Sequence, residues 1–251
     1  MNINFAQLEI AGESNVGTVR HHNEDNFLIF APPGGQAVLA AVADGIGGHS
    51  RGEVASHICC RELLRAARNT DSARWDEDFL LDSLRCANER IFNFNYSGKR
   101  IKPMGCTVAA AIFFSDRVII ASAGDSRIYE YLHRGGGKSL RQLTEDHRPE
   151  GYLDWLKDER FRHVSLISRA LGTGKYLELD HHQFPRHPEA KYMLCSDGLY
   201  NRQNNRLIAG VLSDESSMRS KCSTLLRGAL LSGERDNITV ICAGTAKKEY
   251  K

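Results

Sequence analysis

Along the chain, short apolar runs alternate with longer amphipathic stretches. Ala37 to Ala43 is a run of small and branched apolar residues that reads as a buried strand, and it stops at Asp44-Gly45-Ile46-Gly47-Gly48-His49. The glycines let the backbone turn sharply and approach a ligand closely. Beyond them, Ala55, Ile58, Cys59, Leu63 and Ala66 fall at helical spacing within 53–68, which gives a strand, glycine turn and helix. Asp44 is thus expected at a strand end, although Asp-Gly by itself is also an ordinary hairpin turn.

The same reading predicts an edge strand over 6–11, a loop over 12–20, and a strand over 26–30 joined by Pro32-Pro33-Gly34-Gly35 to the strand ending at Asp44. Phe79, Leu80, Leu84, Ala87, Ile91 and Phe94 form a helical stripe suited to packing on a sheet. Strands over 105–114, 117–123 and 127–132 follow so closely that they must form an antiparallel meander. Gly135 to Ser139 reads as a hairpin tip, because Leu132 stands where a phosphate-binding loop needs glycine. The polar stretch 144–169 yields only a short helix near 152–157. Strands at 177–181 and 191–195, a helix carrying Met218 to Leu230 capped by Ser213 or Asp214, and a strand over 238–243 complete the chain.

Composition narrows the class. With 251 residues, 41% of them apolar, and no linker or repeat, a single domain over 1–251 is expected. Thirty-three basic residues against 31 acidic ones give no general attraction to nucleic acid or membrane surfaces. No signal peptide or membrane span is visible, and seven cysteines in no metal-binding spacing fit reduced thiols, so a cytoplasmic protein is expected.

The chemistry lies in carboxylates. Asp25 precedes a strand, Asp44 and Asp197 follow strands, and Asp236 precedes one; such residues converge if their strands lie side by side in one sheet. Clustered carboxylates stay ionised only beside cations, and hard oxygen ligands select Mg²⁺ or Mn²⁺ over zinc. Two such ions about 4 Å apart activate water for in-line attack on phosphorus. Arg20, five residues before Asp25, supplies a planar guanidinium for the phosphate. His49 is a candidate proton donor to the leaving group.

Arg20-His-His-Asn-Glu-Asp25, Asp44-Gly-Ile-Gly-Gly-His49, Gly105-Cys-Thr107, Ala123-Gly-Asp-Ser-Arg127, Leu143-Thr-Glu-Asp-His147, Ser168-Arg-Ala-Leu-Gly172, Cys195-Ser-Asp-Gly198 and Asp236-Asn-Ile-Thr239, in this order over about 12–243, resemble the type 2C metal-dependent serine/threonine protein phosphatases in their compact bacterial form. The resemblance implies an α+β, four-layer sandwich of two central antiparallel sheets flanked by helices. It also implies that Asp44 bridges two Mn²⁺ or Mg²⁺ ions, that the Gly45 carbonyl holds one, and that Asp197 and Asp236 hold the other. Glu24 and Asp25 would orient metal-bound water, Arg20 would bind the phosphate, and Asp125 matches a ligand of a weaker third ion. Two departures stand out: Ile46 occupies the place of a candidate general acid, and 147–168 lacks the usual glycine-containing pattern.

The expected activity is hydrolysis of phosphoserine and phosphothreonine in proteins, opposing a serine/threonine kinase, by a monomer that binds neither nucleic acid nor membranes. A catalytically silent phosphoprotein-binding or sensor domain on the same fold, and a hydrolase of small phosphoesters, are the competing readings.

Overall fold

The computed structural model describes residues 8–47, 51–96, 103–134, 137–148 and 167–245. Its strands form two antiparallel sheets. The first contains β1 (Leu8–Asn15), β11 (Ile238–Thr245), β10 (Lys191–Cys195), β7 (Arg127–Arg134) and β8 (Gly137–Gln142), in that order. The second runs β2 (Asp25–Phe30), β3 (Val38–Ile46), β5 (Val108–Phe113), β6 (Arg117–Ala123) and β9 (Asp180–Pro185), with the short β4 (Gly105–Cys106) paired to the end of β3.

The continuous apolar runs have a physical cause: the central strands are buried on both faces, so neither face alternates with a polar one. Along β3, Leu39, Ala41 and Ala43 pack with Leu63 of α1 (Gly52–Asn69) and with Leu80 and Leu84 of α2 (Glu77–Tyr96). The intervening Ala40 and Val42 face the other sheet, meeting Ile128, Tyr192, Leu194 and Ile241. Phe113 and Tyr192 meet edge to face across this interface, ring centroids 5.3 Å apart. The outer face of the first sheet, including Met193, Val240 and Cys242, is covered by α4 (Asn205–Ser213) and α5 (Met218–Leu231). This is the four-layer α+β sandwich implied by the sequence.

Several local expectations change. β1 extends through Asn15, because all eight of its residues pair with β11, so half of the expected loop is strand. The strand expected at 177–181 begins at Asp180. Residues 205–213 form their own helix, capped by Asn204 accepting from the Leu207 N–H at 3.0 Å. Ser217, rather than Ser213 or Asp214, therefore caps α5. The hairpin over 135–139 joins β7 to β8, with Gly135 and Gly136 outside the described residues. The helix expected near 152–157 also lies outside them. Among the described residues, no helix is long and apolar enough to cross a membrane.

Candidate active site

The end of β3 is built for close approach. A Cβ on Gly45 would lie 2.3 Å from the Gly52 backbone and 2.5 Å from the Glu24 carbonyl, so the start of α1 can sit against Asp44-Gly45 only if glycine is there. Asp25 of β2 pairs directly with Asp44 of β3. The Asp44 N–H donates to Thr107 Oγ1 at 3.1 Å, and the Thr107 N–H donates to the Asp44 carbonyl at 2.8 Å. Thr107 Oγ1 also shares a 2.6 Å hydrogen bond with Ser126 Oγ, tying Asp44 to the β6–β7 turn that carries Asp125.

Asp197 opens the short helix α3 (Asp197–Tyr200) just after β10, and Asp236 precedes β11. The four strand-end carboxylates thus come from two sheets rather than from neighbours in one: Asp25 and Asp44 from the second, Asp197 and Asp236 from the first. Ser196 connects them, its Oγ donating to Asp25 Oδ2 at 2.7 Å and accepting from the Thr239 N–H at 2.9 Å. Asn237 fixes the loop bearing Arg20. Its Oδ1 accepts from the Glu24 N–H at 2.8 Å, and its Nδ2 donates to the carbonyls of Val16 and His22 at 2.8 and 3.0 Å.

Arg20 Nη2 donates to Asp236 Oδ2 at 2.7 Å, and the arginine side chain is half exposed. Glu24 accepts from the Gly52 N–H at the start of α1 at 3.2 Å, so it anchors that helix as well as facing the site. Asp125 accepts from Arg148 Nη2 at 3.2 Å. His147 holds the same turn: its Nδ1 accepts from the Gly124 N–H at 3.0 Å, its own N–H donates to the Gly124 carbonyl at 2.9 Å, and its Nε2 lies 2.8 Å from Asp180 Oδ2. His49 lies outside the described residues.

Electrostatically the cluster is under strain. Burial pushes the Asp25 carboxyl up to about 6 and Asp197 up to about 8. Asp44 is pushed well above the usual range by burial and then by the charges of Asp25, Asp197, Asp125 and Asp236. Among the described residues, Asp25 Oδ1 and Asp125 Oδ1 are buried without a hydrogen-bond partner. No group of three or more His, Cys, Asp or Glu among them is already gathered closely enough to hold an ion. One oxygen of Asp236 is instead engaged by Arg20. Like-charged, oxygen-only donors whose charges act on one another fit hard divalent cations at Asp44, Asp197 and Asp236. At Asp125, Arg148 already supplies positive charge.

Sequence reasoning gave no role to Thr107, Ser126, His147, Arg148, Ser196 or Asn237. Their signal was adjacency: Ser196 stands beside Asp197, Asn237 beside Asp236, and Ser126 beside Asp125. What each one touches depends on which strands meet.

A two-sheet antiparallel sandwich with such a carboxylate cluster at its strand ends has the oxygen donors that a metal-dependent phosphatase needs. The chain belongs to the protein phosphatase 2C family, which matches residues 17–227. It is 34% identical over 234 residues to the serine/threonine phosphatase Stp of Listeria welshimeri, with 90% of this chain and 91% of that protein covered. To the serine/threonine protein phosphatase PstP of Mycobacterium tuberculosis it is 32% identical over 255 residues, covering 97% of this chain and 46% of PstP. Among solved structures, the PstP catalytic domain in complex with 2 manganese ions aligns with a TM-score of 0.79 at 28% identity, covering 96% of this chain and 99% of that one. The S. agalactiae serine/threonine phosphatase aligns with a TM-score of 0.83 at 29% identity, covering 96% of this chain and 100% of that one.

Proposed function

We propose that the chain is a Mn²⁺- or Mg²⁺-dependent phosphatase that removes phosphate from phosphoserine and phosphothreonine in proteins, within one domain spanning 1–251. The observation that carries this reading is the like-charged set Asp25, Asp44, Asp197 and Asp236, contributed by both sheets, with Asp25 and Asp197 buried and the charges of all the others acting on Asp44. Two ions would be held by Asp44, the Gly45 carbonyl, Asp197 and Asp236. When bound, they supply Lewis acidity and lower the pKa of a coordinated water.

The chain's own residues do the rest. Arg20 grips the phosphate oxygens, its half-exposed guanidinium being able to reach solvent while still paired to Asp236. Asp25, fixed at Oδ2 by Ser196, presents Oδ1 as the oxygen that orients the attacking water and accepts its hydrogen bond. Glu24, set against the first turn of α1, keeps that turn and Gly45 in place. Water attacks phosphorus directly and the serine or threonine oxygen leaves, with no phosphoenzyme. His49 is the candidate donor of the leaving-group proton, since Ile46 carries none.

The chain would act in the cytoplasm, as a monomer, against the products of a serine/threonine kinase. The silent-domain alternative has no observation in its favour, because every acidic residue that the chemistry needs is present. Turnover of a phosphothreonine peptide compared with an aryl phosphate tests the substrate class. A higher kcat/KM on the peptide is expected; a preference for the aryl phosphate would make this a small-phosphoester hydrolase.

A further inference from the structure

We propose that Arg148 takes the place of a third metal ion at Asp125, so that this chain works with the two ions of its main site and a built-in guanidinium beside them. The inference rests on the two-ion reading above and concerns a position where the residues do not fit a further cation.

Asp125 is almost completely buried at the β6–β7 turn, and Arg148 is only 20% exposed. Arg148 Nη2 donates to Asp125 Oδ2 at 3.2 Å and to Tyr200 Oη at 3.0 Å, while its Nε lies 3.6 Å from Asp146 Oδ2. The guanidinium is thus held between two carboxylates and a phenol. Those partners are fixed in turn. The Tyr200 hydroxyl donates to the Asp125 carbonyl at 2.8 Å, and Arg127 lies over the Tyr200 ring with its Cζ 3.5 Å from the centroid. Arg127 also grips Asp146 with both arms of its fork, Nε to Oδ1 at 2.8 Å and Nη2 to Oδ2 at 2.6 Å.

Charge decides the matter. Asp125 and Asp146 carry two negative charges and Arg127 and Arg148 two positive ones, so each of these two carboxylates has a guanidinium partner, while Asp125 Oδ1 stays without a hydrogen bond among the described residues. A divalent ion at Asp125 would have to sit beside a fixed like-charged guanidinium or displace it from its bonds to Asp125 and Tyr200, and either is costly in a mostly buried corner. At Asp44 and Asp197, by contrast, no arginine or lysine is hydrogen-bonded among the described residues, and at Asp236 the partner Arg20 is half exposed and free to turn toward solvent.

The test counts Mn²⁺ bound by the full chain, by equilibrium dialysis or calorimetry, in the wild type, Asp125→Asn, Arg148→Ser and the double variant. The expected result is about two ions in the wild type, unchanged in Asp125→Asn. Arg148→Ser should gain one weaker ion, and the double variant should lose it again. A wild type that already holds a third ion removed by Asp125→Asn would overturn the proposal. So would an Arg148→Ser protein that keeps the first two ions and gains none, which would leave Arg148 a phosphate-binding or purely structural residue. A wild type that binds no Mn²⁺ would instead overturn the reading of the main site, and this inference with it.

Discussion

Ser196 Oγ donates to Asp25 Oδ2 at 2.7 Å, and through that bond a residue at the end of β10 in one sheet fixes a carboxylate on β2 in the other. The two halves of the site are therefore joined by a direct hydrogen bond. Ser196 is wholly buried and also receives the Thr239 N–H, so its hydroxyl has no solvent to fall back on.

Replacing it tests the connection. Ser196→Ala removes the donor to Asp25 Oδ2 and strands the buried Thr239 N–H, at a cost of about 1–3 kcal/mol in stability. Because Asp25 then loses its orientation, Mn²⁺ affinity or kcat should fall about 10–100-fold. Thermal denaturation and Mn²⁺-dependent turnover check the two effects separately.

Arg20 is placed to bind substrate while resting on Asp236. Arg20→Ala should raise KM for a phosphothreonine peptide by about 10–100-fold, the worth of a charge-assisted hydrogen bond. Mn²⁺ affinity should not weaken, since Asp236 is released rather than removed. Arg20→Lys should restore little, because a point charge cannot reproduce the planar fork. Steady-state kinetics beside a Mn²⁺ titration separate these outcomes.

The carboxylates also set a pH dependence in the chelated protein. Asp25 and Asp197 are raised by burial from 3.8 in ordinary surroundings to about 6 and about 8, so the folded chain holds protons that the unfolded chain releases. Their contribution to stability is full below about 4 and is lost as pH rises through about 6 and then about 8, on the order of a few kcal/mol in total. The melting temperature of the chelated protein should accordingly fall as the pH rises from about 5 to about 8.5. Mn²⁺ should reverse the loss, with a benefit that grows with pH, and should release protons on binding at neutral pH. Denaturation scans with and without chelator measure the first, and calorimetry in buffers of different ionisation enthalpy measures the second.

Much of this was legible in the chain. The stop from Ala43 to Asp44, followed by glycines, marked the end of β3 and the start of α1, because a fully buried strand leaves an unbroken apolar run. Which strands share a sheet was not legible. Spacing showed that β5 and β6 are neighbours, yet nothing local shows that β11 lies between β1 and β10, so Asp197 and Asp236 could not be separated from Asp25 and Asp44. α4 escaped notice because it buries only Ile208 and Leu212 and carries Gly210. Arg148 escaped for a different reason: its partners Asp125 and Tyr200 are 23 and 52 residues away in sequence. A charge shared with a distant carboxylate and a distant phenol has no local signature.

The central claim is that Asp44 holds the ions that make the site work. Phosphate release from a phosphothreonine peptide, measured with Mn²⁺ and with chelator in the wild type and in Asp44→Asn, tests it most directly. Release that needs Mn²⁺ in the wild type and falls by more than about 100-fold in a folded Asp44→Asn protein is expected, since even residues behind the ligands cost about 10–100-fold. Near-normal release by Asp44→Asn, or release by the wild type that survives chelation, would contradict the account.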